Sequence, residues 1–92
     1  MSDDGDTLSV AVDALLARRQ AKQDDARQLA ALRLAIWRMK HEEHKSAADI
    51  AIELRDEARR RGVTPRKGEG VGYESVAKVV GGPRPTEPKP EA

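Results

Sequence analysis

The chain contains no cysteine and no phenylalanine, and one tryptophan and one tyrosine are its only aromatic residues. Without cysteine there is no disulfide and no thiolate metal site, and a reducing cytoplasm is the expected compartment. Glycine and proline are nearly missing from the first two thirds: Gly5 is followed next by Gly62, and Pro65 is the first proline. No stretch approaches the roughly 20 apolar residues of a membrane span. The acidic start Met1-Ser2-Asp3-Asp4-Gly5-Asp6 has no apolar run behind a basic one, so it does not read as a secretory signal. Charge of either sign is not in excess, because 17 Lys and Arg stand against 16 Asp and Glu. The position of the charges, not their sum, therefore has to point to a partner. With 92 residues, 36% of them charged, the chain buries a thin core, fits one domain and gains firmness from a partner.

Catalytic chemistry is also missing. It needs a nucleophile with a base, a carboxylate pair in a cleft, or a metal, and no motif for any of these is spelled out. The two histidines stand in His41-Glu42-Glu43-His44. Their spacing is one residue short of the H-E-x-x-H zinc motif, and no distant third ligand accompanies them. Residues 68–72 are glycine-rich, but they lack the preceding strand and the lysine of a phosphate-binding loop, so they read as a flexible connection. The expectation is a protein that is not an enzyme, with no metal and no cofactor.

What the chain does have is helix. Between Gly5 and Gly62 it is rich in Ala, Leu, Arg, Gln, Glu and Lys, all good helix formers. Leu8, Val12, Leu15 and Leu16 form a short apolar stripe, and Leu29, Leu32, Ile36 and Met39 form a second at helical spacing. The two heptad columns through these residues are interrupted by Lys22 in one and by Arg18 and Asp25 in the other, which argues against a coiled coil over the whole length. A continuous helix over residues 7–41 with a solvated middle fits better, and a break near Asp24 or Asp25 is the alternative. Ser46-Ala47-Ala48-Asp49 has the form of a capping box. Ala47, Ile50, Ala51, Leu54 and Ala58 follow on one helical face, and Gly62 suits the position just past the helix end. Tyr73, Val76, Ala77 and Val80 repeat helical spacing before Gly81-Gly82, with a short strand as the competing reading for so β-branched a run. Four prolines from Pro83 onward predict a disordered, polyproline-like tail. The expected fold is all-α: a disordered acidic start (1–6), a long helix (7–41), a helix-loop-helix (46–61 and 73–80), and the proline-rich tail (83–92).

Positive charge clusters in one place. Arg55, Arg59, Arg60, Arg61, Arg66 and Lys67 face only Asp56 and Glu57 nearby, and Lys78 and Arg84 follow. Such a local excess suits phosphates, and three of the arginines equally suit the negative end of a helix dipole.

The order of these elements carries a resemblance. Glu74-Ser75-Val76-Ala77-Lys78-Val79-Val80-Gly81-Gly82, continued by Pro83-Arg84-Pro85, is similar to the "Ser-Thr-Val-Ser-Arg-Val-Leu-Ser-Gly" segment and following Pro-Arg of the Xre/Cro-like helix-turn-helix regulators of actinobacteria. Ser46-Ala47-Ala48-Asp49-Ile50 stands where that family begins its second helix. The resemblance spans residues 29–85. The chain departs from the family in its longer turn, in the helices missing after the last one, in Glu74, and in the extra N-terminal helix. The resemblance implies a DNA-binding transcriptional regulator in which residues 73–80 enter the major groove. Glu74, Ser75 and Lys78 would face bases, and Arg66, Lys67 and Arg84 would hold phosphates. This reading also expects a homodimer formed through the N-terminal helix and its apolar stripe, since one short helix reads only a half-site. Val76 and Val80 are expected on Ile50 and Leu54, and Tyr73 either as a lid on the core, the preferred reading, or as a hydrogen bond to phosphate. A different reading follows from the apolar stripe alone: a helical adaptor or assembly protein whose residues Leu8, Val12, Leu15, Leu29, Leu32, Ile36 and Met39 dock on a partner helix.

Overall fold

The computed structural model describes residues 6–20, 25–66 and 68–86, and these fold into four α-helices with no strand among them. They are α1 (Asp6–Gln20), α2 (Asp25–His41), α3 (Ala47–Arg60) and α4 (Tyr73–Val80). The strand alternative for residues 73–80 is thereby set aside. Residues 1–5, 21–24, Lys67 and 87–92 lie outside the described residues, and with them most of the acidic start (1–6) and of the tail (83–92) expected to be disordered; Asp6, expected in that start, opens α1 instead. Residues 83–86 carry no regular secondary structure.

The single helix expected over residues 7–41 is two helices. A straight helix of that length would be about 50 Å long, whereas the longest dimension of the molecule is 33 Å. The chain folds back because its two apolar stripes satisfy each other. Val12 and Leu15 of α1 are buried in the same core as Leu32, Ile36 and Met39 of α2, and the two helices form the most extensive pairing in the molecule. Each such side chain contributes about 1.5–3 kcal/mol on leaving water. The residues proposed as a surface for a partner helix thus fill the chain's own interior: Val12, Leu15, Leu32, Ile36 and Met39 are at most 1% exposed, with Leu8 and Leu29 packed partly buried against them.

α3 closes the core with Ile50, Ala51, Leu54 and Ala58, the apolar face expected from its spacing. The Ser46 Oγ accepts the backbone N–H of Asp49 at 3.1 Å and caps its start. At its end, Val63 N–H donates to Ala58 O and Gly62 N–H to Arg59 O, both at 2.9 Å. This is the Schellman pattern, with Gly62 at φ +80° where a side chain would be strained. α2 ends differently. His44 takes the left-handed conformation at φ 60°, which lets Lys45 N–H return to Met39 O at 3.1 Å. The Lys45 ammonium then joins Glu43 and Glu53 at 3.1 and 2.7 Å; burial opposes its charge, but hydrogen bonds to Glu53 and Glu43 outweigh it and raise its pKa. α4 contributes Val76, fully buried in the cluster that holds Ile50 and Leu54, with Val80 partly buried against it.

Replacing Gly62 by alanine tests the α3 terminus cleanly. No atom lies within 4 Å of an added Cβ, so only the backbone conformation opposes the change. Gly62→Ala should destabilise the domain by about 1 kcal/mol in urea unfolding, with an unchanged m-value.

Candidate nucleic-acid interface

Two arginines from α1 determine how residues 63–72 are held. The Arg19 guanidinium grips the Glu69 carboxylate with two bonds, Nε to Oε2 at 2.7 Å and Nη2 to Oε1 at 2.8 Å, and Nη2 also donates to Thr64 O at 2.7 Å. Arg18 Nη1 donates to Glu69 O at 2.9 Å. Glu69 Oε1 further accepts the backbone N–H of Arg66 at 2.6 Å, and Val71 is buried in the core. The segment read as a flexible connection is therefore a fastened loop, and its glycines are used at the positions with positive φ, Gly68 and Gly70. At Gly70 the backbone passes close over α2, where an added Cβ would lie 3.6 Å from Leu32 Cδ2. Hydrogen bonding from Arg19, ahead of the opposing effect of burial, holds the Glu69 carboxyl below its ordinary value of 4.5.

This loop delivers the start of α4. Gly72 is the N-cap residue and offers no side chain, so the first backbone N–H groups of α4 have no side-chain acceptor. Gly72, Tyr73 and Glu74 are all exposed. Tyr73 is 56% exposed and is not the core lid expected, because the loop turns α4 so that Val76 takes the inward position. Beside this helix start lies an open groove of about 490 Å³, lined by Arg55 of α3, Arg66 of the loop, and Tyr73, Glu74 and Ser75 of α4. A positive helix end next to two guanidinium groups is a favourable place for an anion.

The structure sorts the predicted basic residues. Arg55 and Arg66 reach the groove. Arg61 does not. It pairs with Asp13 of α1, donates to Ser9 Oγ at 2.7 Å, and bonds Glu57 at 3.0 Å. Arg60 pairs with Glu57 at 3.0 Å. Lys78 is exposed and lines a second cleft on the other side of α4. Ser75 lines both hollows, so the first half of α4 stands as a ridge between them. Arg84 lines neither; its guanidinium sits 5.9 Å from the centre of the Trp37 ring. Lys67, the remaining predicted contact, lies outside the described residues.

The fastening of the loop by Arg18 and Arg19 was not visible in sequence. Their partner Glu69 lies about 50 residues away, and no local spacing announces such a pairing. Arg55 was noted only within the basic run. His41, weighed as a metal ligand, instead supports α4. Its Nε2 lies 3.1 Å from Val80 O, and its ring stacks on Trp37 with centroids 4.2 Å apart. Among the described residues no group of three or more His, Cys, Asp or Glu is placed to hold a metal ion. No helix among them is long and apolar enough to cross a membrane. Comparison with known protein families, curated proteins and solved structures finds no match to the chain.

The Arg19–Glu69 pair makes stability depend on pH with a definite sign. Because the Glu69 carboxyl is depressed in the folded state, the unfolded chain binds the proton more readily. The pair's stabilisation is present above pH 4.5, the ordinary value, and is lost as pH falls through the lowered one. Glu69→Gln should cost about 1 kcal/mol at neutral pH, for loss of the charge-assisted bonds, and its unfolding midpoint should fall less steeply on acidification than that of the unaltered chain.

Proposed function

We propose that the chain is a small DNA-binding module that reads duplex DNA with the exposed N-terminal half of α4. One observation carries the reading: the uncapped start of a short exposed helix shares its groove with Arg55 and Arg66 and with the polar side chains Glu74 and Ser75. An α-helix with its side chains is about 10–12 Å across, which fits the roughly 12 Å width of the major groove. In this reading Arg55, Arg66 and the Tyr73 hydroxyl hold phosphates and set the register of the helix. Ser75 and Glu74 meet base edges, and a carboxylate at that place accepts from the cytosine amino group. Glu74 thus becomes a selective residue instead of a mismatch with the family it resembles. The order α3, loop, α4 supports the resemblance to Xre/Cro-like regulators, and with it a role in transcription. Dimerisation through the stripe of Leu8 to Met39 is not carried forward, nor is a partner helix docked there, because those side chains are occupied with one another.

Fluorescence anisotropy with a random-sequence duplex at about 50 and 200 mM salt tests the proposal. The expected result is binding that weakens steeply with salt, with a slope of about 0.9 per phosphate neutralised. Arg55→Ala with Arg66→Ala should weaken binding at low salt by about tenfold or more and lower that slope by about 2. Absence of duplex binding at low salt, or binding unchanged in the double variant, would remove DNA as the partner.

A further inference from the structure

The second cleft lies behind α4, between α2, the 68–70 loop, α4 and residues 82–85, and has a volume of about 520 Å³. Sites for small molecules commonly run from about 300 to 1,000 Å³ and combine an apolar lining with a few convergent polar groups. Both features are present. Leu29, Val79, Pro83 and Pro85 supply apolar wall, while Arg33 of α2 and Lys78 and Ser75 of α4 bring two cations and a hydroxyl to the same space. Arg18 of α1 adds a further cation to the lining, and no acidic residue is among the described lining residues. The one carboxylate in the adjoining loop, Glu69, is turned away and held by Arg19.

Arg33 and Lys78 are both exposed, and neither makes an ion pair or hydrogen bond among the described residues. Several other cations are spent on partners: Arg19 on Glu69, Arg61 on Asp13 and Glu57, Lys45 on Glu43 and Glu53. Two unpaired cations facing one hollow repel each other, and an anion between them relieves that repulsion.

The far wall is also fixed in place. Residues 82–85 are held against α2 by the Trp37 indole, whose Nε1 lies 3.4 Å from Gly82 O, and by Arg84 over the Trp37 ring. His41 holds the turn before them through Val80 O. The hollow therefore does not have to be assembled by its ligand, which lowers the cost of filling it. The apolar wall beside these cations gains nothing from a duplex backbone, which offers phosphate without an apolar body. It gains from a small molecule that carries both.

We infer that this cleft binds a small anion on a flat apolar body, its phosphate or carboxylate held by Arg33 and Lys78 and its body laid against Val79, Pro83 and Pro85. The site shares α4 and Ser75 with the groove proposed to meet DNA, but its cations Arg33 and Lys78 lie outside that groove, and it is tested without DNA.

The test is an amide NMR titration of the full chain with 1-naphthyl phosphate, 1-naphthoate, 1-naphthol and inorganic phosphate. One or both naphthyl anions should shift the amides of Gly70, Ser75 and Gly82 and the Trp37 indole, and which of them does so identifies the headgroup. Naphthol and inorganic phosphate each lack half of the contacts and should bind at least about tenfold more weakly, the equivalent of about 1.4 kcal/mol. Arg33→Ala with Lys78→Ala should weaken the bound naphthyl anion by about tenfold or more. Lys40→Ala with Arg60→Ala removes the same charge outside the cleft and should change it less than about twofold. The inference is overturned if neither naphthyl anion shifts the cleft amides at millimolar concentration, if naphthol binds as well as the anions, or if the two double variants weaken binding equally.

Discussion

The bidentate pairing of Arg19 with Glu69 is the contact on which the rest of the molecule's useful surface depends. It ties the end of α1 to a loop with little apolar content of its own, in which Val71 alone among the described residues is buried. Left to solvent, a stretch with Pro65 and three glycines would sample many conformations, and α4 would have no defined direction. The planar guanidinium matches both carboxylate oxygens and still reaches Thr64 O, so one side chain removes freedom at two points of the loop. The pair is partly buried, with side-chain exposures of 24% and 17%, so solvent and salt screen it less than an open surface pair.

α1 thus has a role that its position in the chain does not suggest. It lies far in sequence from the α3–α4 unit. In space it is the brace for that unit. Arg61, at the end of α3, reaches back to Ser9 and Asp13, while Arg18 and Arg19 reach forward to the loop. The end of α4 is held by side chains of α2: Trp37 and His41 take up the carbonyls of Gly82 and Val80. A short helix of eight residues is marginal alone. Here it is held at its start by the α1 arginines and at its end by an aromatic pair, and its middle is held by Val76 in the core.

The balance of charge acquires a meaning from this arrangement. Near-neutral composition hides a division of labour among cations. Arg18, Arg19, Arg61 and Lys45 hold the fold together, whereas Arg55 and Arg66 face one hollow and Arg33 and Lys78 another. The run Arg59-Arg60-Arg61 shows how poorly adjacency predicts role. Successive residues on a helix point about 100° apart, so Arg60 stays on Glu57 near the surface while Arg61 turns inward to α1.

The sequence by itself determined the helices and their local ends: the all-α class, the capped start at Ser46, the glycine stop at Gly62, and the apolar faces of α2 and α3. These follow from propensity, 3.6-residue periodicity and capping chemistry, all of which act within a few residues. It also determined that residues 7–41 have a polar centre, from which one continuous helix was the preferred reading and a break near Asp24 or Asp25 the alternative. Only the tertiary structure decided between them, because a fold-back is stabilised by burying Val12 and Leu15 against Leu32, Ile36 and Met39, a gain that no local pattern contains. The same holds for the sites. Glu74, Ser75 and Lys78 were legible as exposed polar residues on a short helix. Their separation into two hollows, the fastening of the loop by Arg19, and the gathering of Arg33 with Lys78 come from contacts across about 45 to 50 residues of chain. Such contacts depend on how whole helices pack, and packing is set by the summed fit of the core and not by any residue's neighbours in sequence.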